Sequence, residues 1–515
     1  MRRLVDPLLG VLAAWAGIAV GSLVAVWLGP AYAPVEVVAS TAIDIPPAPV
    51  KEWGTSTFGT ATKSVVVAIV VIAVVAIAAW AGSVARQRLA TGVWAMFILG
   101  LIGATAALVR PVDSALAPAP SIVAGLVAAA VLAGLILLSE PRAPTVVIPV
   151  DDLDAPPVVV EPTVDRRNFL LGVGGVIVLA AAATASARWL GSQASAVASR
   201  LSAVLPTAAQ PLPPVPAGVQ APVAGMPPFI TPNSDFYRID TAVVVPQVQS
   251  QDWTLTIDGL VGSPVTITYD ELLSMPMVER DVTIMCVSNP VGGDYIGNAR
   301  WLGTPLMPLL ERAGIDAGAD QLLSTSVDGW TCSTPIEGLA DREPLLVIGM
   351  NGEALPIEHG FPVRMVIPGL YGFISATKWV TRIEATTYAA QPAYWTVRGW
   401  ATDAPVLTSS RIDVPGGEIA AGAVQLGGLA WAMDGDGVSA VEVQIDGGEW
   451  QSAQLAEQLS PVAWRQWWMD WDASPGEHTV AVRAVNGRGE VQTGDIRDVI
   501  PDGATGYDIR TVTVV

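Results

Sequence analysis

Soft and imidazole ligands are scarce enough in this chain to be counted by name. Cys286 and Cys332 are the two cysteines of 515 residues, and His359 and His478 are the two histidines. Such a set excludes a disulfide-dense scaffold, a multi-cysteine zinc module, most iron–sulfur sites and a His-rich metal centre. Cys286 follows an apolar β-type run, Val282-Thr-Ile-Met, and precedes a polar loop, so it is expected at a strand end. Taken alone it is a buried inert thiol, one half of a disulfide with Cys332, or a ligand. Positive charge is scarce too. Residues 201–515 hold a single lysine, Lys378. His359 and Arg364 stand close together in His-Gly-Phe-Pro-Val-Arg.

The elements that must position these residues fall into two contrasting parts. The chain is 51% hydrophobic and 14% charged, where soluble domains average about 25% charged. Its length calls for roughly two to four units. The apolar content excludes disorder. A net charge of −20 excludes nucleic-acid binding, which needs basic surface. Residues 1–200 hold 12 basic and 11 acidic residues, and the remainder 15 basic and 36 acidic. The first part is nearly neutral and apolar, and the second is acidic and turn-rich. Five apolar stretches, about 8–29, 64–82, 92–109, 121–139 and 169–187, approach the roughly 20 residues a bilayer requires. None holds an ionisable residue in its interior, which favours an anchor over a transport pathway. None holds a histidine, which excludes a bis-His haem in the spans. Arg2, Arg3, Arg86, Arg88, Arg142, Arg166 and Arg167 fall on one side by alternation, the cytoplasmic one under the positive-inside rule. Lys51, Lys63 and Arg110 fall on the other. Residues from about 190 onward are then expected outside.

The fifth stretch opens Asp165-Arg166-Arg167-Asn168-Phe169-Leu170. This resembles a twin-arginine export signal, the route for proteins that fold around a cofactor before export. Two arginines obeying the positive-inside rule would account for the pair alone, but the Phe169-Leu170 that follows favours the signal. Residues 202–228 are uncharged and rich in Ala, Pro and Val, as in a flexible extended tether. Beyond them, short β-type runs alternate with Gly/Pro turns and a few helical patches. Trp253–Gly259 alternates like a strand entering a turn, and Tyr269-Asp270-Glu271 resembles a helix start. Leu345–Ile348 reads as a strand and Asn351-Gly352 as a hairpin turn. An α+β domain is expected.

Several segments here run collinear with one family. They are Thr231-Pro-Asn-Ser-Asp-Phe236-Tyr237-Arg238-Ile-Asp240, Thr283-Ile-Met-Cys286-Val-Ser288-Asn289-Pro290, Ile296 to Leu306, Met350 to Pro356, His359 to Arg364, Val366-Ile-Pro368-Gly369 and Lys378-Trp379. Across about 160 residues they resemble the sulfite-oxidase-type molybdopterin oxidoreductases. The resemblance makes Cys286 the molybdenum ligand and leaves Cys332 as a core thiol or pocket wall. It assigns His359, Arg364 and Lys378 to the pterin and its phosphate, places Asn233, Phe236, Tyr237 and Arg238 along its other side, and adds Asp328. The loop from Gly372 to Lys378 is a residue longer than in many relatives, which bears on Ala376 and Thr377 as backbone ligands. Sulfite oxidases carry arginines after the ligand cysteine. Here Val-Ser-Asn-Pro-Val-Gly-Gly has none, and Arg300 is the nearest basic candidate. Sulfoxide- or N-oxide-like substrates fit as well as sulfite.

The last part, 393–515, reads as all-β. Ala440–Ile445 alternates into an Asp446-Gly447-Gly448 turn, and His478–Val485 runs to Asn486-Gly487, a hairpin signal. It resembles the immunoglobulin-like dimerisation domain of the same family. The fold class is thus α+β: a sulfite-oxidase-type molybdopterin domain followed by an immunoglobulin-like β-sandwich, preceded by five transmembrane helices. The expected divisions are 1–140 (four transmembrane helices), 141–165 (cytoplasmic linker), 166–190 (twin-arginine-like motif and fifth helix), 191–228 (tether), 229–392 (molybdopterin domain) and 393–515 (sandwich). The expected activity is two-electron oxygen-atom transfer on a small molecule, outside a cell membrane. The alternative is an inactive surface binding or scaffold protein. With no Cys-X-X-Cys-His haem motif in the chain, electrons would pass to a separate cytochrome or quinone-linked partner. A homodimer through the sandwich is compatible with the resemblance.

Overall fold

A computed structural model describes the chain apart from residues 1, 48–49, 51–52, 55–56, 59–60, 111–114, 141–144, 148–157, 161–165 and 194–195. The chain divides into two units, residues 1–195 with 241–246, and residues 196–240 with 247–515.

The first unit is helical: α1 Arg2–Ala25, α2 Pro34–Asp44, α3 Thr62–Ala85, α4 Leu89–Val109, α5 Ala119–Ser139 and α6 Arg166–Gln193. Five of its helices are long and apolar enough to cross a membrane by length and composition. Glycine lets their backbones touch, as small residues do in apolar bundles. A Cβ at Gly10 would lie 2.0 Å from Ala78 O, at Gly17 2.3 Å from Ala124 O, and at Gly100 2.6 Å from Gly125 Cα. Asp6 at the start of α1 pairs with Arg86 just past the end of α3 at 2.6 Å, so these helices are antiparallel. The short α2 is a helix that the hydropathy reading did not separate, because its 11 residues cannot span. It begins at a proline, buries Ser40 and Thr41, and donates from Thr41 Oγ1 to Ala106 O at 3.3 Å. Most of the expected 141–165 linker, including Arg142, lies outside the described residues. Within it β1 Thr145–Val147 pairs antiparallel with β2 Val158–Val160.

The second unit opens with a short helix, Ala196–Ser202, and its first strands are β3 Thr254–Gly259 and β4 Val265–Thr268, joined as an antiparallel pair. A capping box between Thr268 and Glu271 starts the short helix Tyr269–Leu273, as its acidic first turn suggests. Two sheets follow. One orders β10 (Glu353–Ala354), β9 (Leu345–Met350), β6 (Ile296–Pro305) and β5 (Val278–Met285), with β11 (Arg364–Val366) also on β9. The other orders β4, β3, β12 (Val380–Thr386), β7 (Gln321–Ser326) and β8 (Thr331–Pro335), with β12 and β3 parallel. Every residue of β9 is buried, and Asn351 and Gly352 take the positive φ of the hairpin turn into β10.

The uncharged stretch 202–228 is seated along this unit rather than free. Ala209 N donates to Met277 O at 2.9 Å, Leu212 N to Glu279 Oε2 at 2.7 Å, and Ala221 N to Gln466 Oε1 at 2.7 Å. The physical reason is that β5 is an edge strand, and edges are commonly covered. Val219 and Ala208 are buried in the core cluster.

The final strands form two more sheets. One orders β13 (Ser409–Val414), β15 (Gly422–Trp431), β19 (Arg465–Ala473) and β18 (Gln454–Leu455). The other orders β14 (Glu418–Ile419), β21 (Asp508–Val514), β20 (Gly476–Asn486), β16 (Val438–Ile445) and β17 (Gln451–Ser452). Side chains of both share one core, including Leu426, Trp467, Val441 and Val482. At Asn486-Gly487 the chain turns, but a single bridge, Val485 with Val491, follows. The long partners of β20 are β16 and β21. Gly489 takes the positive φ instead. Gly487 serves close approach, since a Cβ there would lie 2.5 Å from Asp436 O.

Candidate functional site

Cys286 directly follows the last residue of β5, where the strand gives way to a loop. Its N–H donates to Tyr295 O at 2.9 Å, and its carbonyl accepts from Asn289 N at 3.1 Å. Sγ lies 2.9 Å from Ser288 Oγ. Both cysteines are free, so the disulfide reading drops out. Cys332 is fully buried in β8. Burial raises the pKa of each thiol, opposed at Cys286 by Ser288 and at Cys332 first by Thr377 and then by Ser324. A half-buried, neutral thiol at a strand end becomes a ligand when a metal displaces its proton.

Beside it stands a cluster of positive groups. Gly360, at φ +112°, lets the backbone turn so tightly that a Cβ would lie 3.0 Å from Arg364 Cβ and 3.2 Å from Lys378 Cα. Arg364 on β11 is 4% exposed and donates to the carbonyls of His359 (3.1 Å), Ala376 (3.4 Å) and Met365 (3.5 Å). Its guanidinium lies 5.1 Å from the Trp301 ring centroid. No carboxylate touches it among the described residues. Burial pulls its pKa down to about 10. Lys378 Nζ donates to Asp240 Oδ2 at 2.6 Å and to Glu358 O at 3.0 Å. Arg238 shares that carboxylate, with Nε at 2.9 Å. Burial pulls Lys378 to about 8; Asp240 opposes the shift, while Arg364 and Arg238 add to it. His359 is 3% exposed, and its Nε2 lies 3.2 Å from Asn233 O. The carbonyl can only accept, so that nitrogen carries the proton. Burial first, then Arg364 and Lys378, push this imidazole down to about 3, so it stays neutral. Buried cations answered by too little negative charge are costly, and a phosphate would relieve that cost.

Phe236 and Tyr237 form the flank, stacked at 5.4 Å. Phe236 meets Trp301 and His359 edge-on at 5.7 and 5.5 Å. Asn233 is held by Asn351 Nδ2 at 2.8 Å. The structure thus brings together Asn233, Phe236, Tyr237, Arg238, His359, Arg364 and Lys378, with Tyr237 within electrostatic reach of both Cys286 and Arg364. Ala376 spends its N–H on Gly372 O at 3.1 Å and its carbonyl on Arg364, while the Thr377 carbonyl accepts from Met365 N at 2.8 Å. Asp328 accepts from Trp330 N at 3.2 Å within its own turn, which reaches the cluster where Val327 N donates to Trp379 O. Arg300 is engaged in a bidentate pair with Asp281, at 2.9 and 2.8 Å, and donates to Pro213 O. That is the strand role its place beside Trp301 allowed.

Sequence reasoning did not single out Asp240, Tyr295 or Tyr371. Asp240 stands two residues after Arg238, and a carboxylate among predicted phosphate donors was its only signal. Tyr295 and Tyr371 come within electrostatic reach of Cys286 through folding alone.

Comparison with known proteins agrees with this arrangement. The family described as "Oxidoreductase molybdopterin binding domain" matches residues 242–395. The "Uncharacterized oxidoreductase YuiH" of Bacillus subtilis (strain 168) is 30% identical over 175 residues, covering 34% of this chain and 85% of that protein. The mitochondrial sulfite oxidase of Macaca fascicularis is 28% identical over 320 residues, covering 51% of this chain and 57% of that protein. An NADH nitrate reductase of Nicotiana tabacum is 29% identical over 298 residues, covering 47% of this chain and 33% of that protein. The chain spans about half the length of the mitochondrial sulfite oxidases it matches. A free thiol at a strand end and a phosphate-ready cluster of cations fit a molybdenum–molybdopterin cofactor, and the chain belongs to the sulfite-oxidase-type molybdopterin oxidoreductases.

Proposed function

We propose that the protein is a membrane-anchored oxidoreductase with its catalytic unit on the extracytoplasmic side. It transfers an oxygen atom to or from a small molecule in a two-electron reaction. The observation that carries this reading is the buried Arg364, touched by no carboxylate among the described residues, set with His359 and Lys378 near the free thiol of Cys286. Arg364, His359 and Lys378 hold the pterin and its phosphate. Asn233, Phe236, Tyr237 and Arg238 bound its other side, with Asp328, Ala376 and Thr377 at the margin. Cys286 supplies the one protein thiolate to the metal. When bound, molybdenum held by the pterin supplies the two-electron centre. The protein orients substrate, excludes competing reactions and sets access.

Five apolar helices support the anchor, and the arginine distribution supports the orientation. Arg166-Arg167-Asn168-Phe169-Leu170 supports export of the folded, cofactor-loaded unit. The two-sheet C-terminal region supports the immunoglobulin-like reading, and with it a homodimer. A cytochrome or quinone-linked protein serves as electron partner.

Metal analysis tests the reading. Purified protein is expected to hold close to one molybdenum per chain, and Cys286→Ala is expected to lose activity with reduced viologen or ferricyanide while keeping its fold. Wild type devoid of molybdenum, or a Cys286→Ala variant with full activity, would overturn it.

A further inference from the structure

The helical unit holds a cavity of about 240 Å³ among α1, α2, α3, α4 and α5. Its walls include Ile18, Val74, Leu99 and Ala128 of the long helices and Val38 of the short α2. Among the described residues no acidic or basic side chain lines it. Two lining residues, Ile77 and Ile102, are 39% and 51% exposed. Both stand well inside their helices, Thr62–Ala85 and Leu89–Val109. The cavity therefore has a mouth on the side of the bundle. In a bilayer that mouth faces hydrocarbon rather than water. Ligand sites between the helices of a bundle are commonly of this kind.

One polar side chain meets this space. Ser121 lines the cavity from the first turn of α5 and is 1% exposed. Its hydroxyl has no hydrogen-bond partner among the described residues. Hydroxyls elsewhere on the apolar helices bond back to a carbonyl one turn earlier, the usual resort in such helices. Ser83 donates to Ala79 O at 2.8 Å, Thr105 to Leu101 O at 2.9 Å and Thr184 to Ala180 O at 2.8 Å. Ser121 has no helical turn behind it, because α5 begins at Ala119. A Cβ at Gly103 would lie 2.7 Å from Ser121 Oγ, so glycine on α4 leaves room for the hydroxyl. An unpartnered hydroxyl in apolar surroundings is costly. A water would not answer it, since a buried water needs about two to four polar partners, and Ser121 is the single hydroxyl among the lining residues.

These features define a ligand by its chemistry. It is uncharged, because no lining side chain answers a charge. It enters from the bilayer, and it brings an oxygen to which a hydroxyl can donate. A cavity of ~150 Å³ takes a benzene ring, so about 240 Å³ takes a substituted ring and leaves a longer tail outside the mouth. We propose that this cavity binds the ring of a membrane-soluble quinone, with Ser121 Oγ donating to a ring carbonyl. Quinones join a flat ring, a carbonyl acceptor and an apolar tail in one bilayer-dissolved molecule. A lipid acyl chain would fill the space and leave the hydroxyl unanswered. The five helices then carry a function besides anchoring. The inference rests on the helical unit lying in a bilayer, and on nothing at the Cys286 site.

The test uses the full-length protein in lipid nanodiscs, with decylubiquinone as the ligand and a photoreactive azidoquinone to mark its place. Wild type is expected to bind decylubiquinone saturably. The label is expected on α3, α4 or α5, and the unlabelled quinone is expected to displace it. Ser121→Ala is expected to weaken binding about fivefold, the worth of one hydrogen bond. It is also expected to melt no lower than wild type, since the hydroxyl has no partner to lose. Val74→Phe, which fills the cavity, is expected to abolish saturable binding with helix content unchanged. Wild-type affinity in either variant, purely linear partitioning of the quinone, or displacement of the label by a saturated fatty acid would overturn the site. A lower melting temperature in Ser121→Ala would do so too, because it would give the hydroxyl a structural role. Failure of the bilayer reading shows separately, as full-length protein that stays soluble after lysis without detergent.

Discussion

In the roles proposed for them, Arg364 and Lys378 set this protein's stability against its function. A buried guanidinium held by carbonyls alone destabilises a cofactor-free fold. Arg364→Met is therefore expected to raise the stability of the cofactor-free protein by about 1 kcal/mol or more, as replacing buried charge often does. The same variant is expected to lose the pterin. Urea unfolding and pterin fluorescence check the two halves. Lys378 adds a pH dependence. Burial holds it at about 8, against 10.5 in an unfolded chain. Between those values the unfolded state carries more protons, so raising the pH favours folding of the cofactor-free protein. Over the same rise Lys378 loses its charge, and affinity for inorganic phosphate is expected to fall. Urea midpoints and phosphate titrations between pH 7 and 10 should show both trends. Lys378→Met should flatten both.

The elements explain why these side chains meet. His359, Arg364 and Lys378 come from a turn, from β11 and from the segment just before β12, and Gly360 lets the three approach. Gly360→Ala forces a side chain into a positive-φ position against Arg364 and Lys378. It is expected to cost about 1–3 kcal/mol and to lower pterin occupancy, read by thermal melting and pterin content of the same preparation. Much at this scale could be read beforehand. The strand at 254–259, the capped helix start at Tyr269 and the Asn351-Gly352 turn all follow local patterns, because capping and turn geometry are decided by a few adjacent residues. The seat of residues 202–228 could not be read. Composition reports that the stretch is uncharged and proline-rich. It does not report that the edge of β5 and the side chain of Gln466 offer it partners.

At the scale of the whole molecule, an apolar helical unit and an acidic β-rich unit occupy one chain. If Arg166 and Arg167 form an export signal, the pair Arg166→Lys with Arg167→Lys is expected to leave residues 196–515 on the inner side. External protease would then spare them in spheroplasts while cleaving them in wild type. Surface digestion equal in both would discard the signal and leave the arginines as topology determinants alone.

Sequence by itself determined the five apolar helices, the split of charge between the two units and the ordered motifs of the candidate cofactor site, since each is a property of neighbouring residues or of composition. Tertiary structure decided which charges are spent and which are left. It gave Arg300 to Asp281, gave Asp240 to Lys378 and Arg238, and left Arg364 with no carboxylate among the described residues. Charge pairing depends on distances of a few ångströms across the fold, and those are fixed only when strands far apart in the chain come to lie side by side.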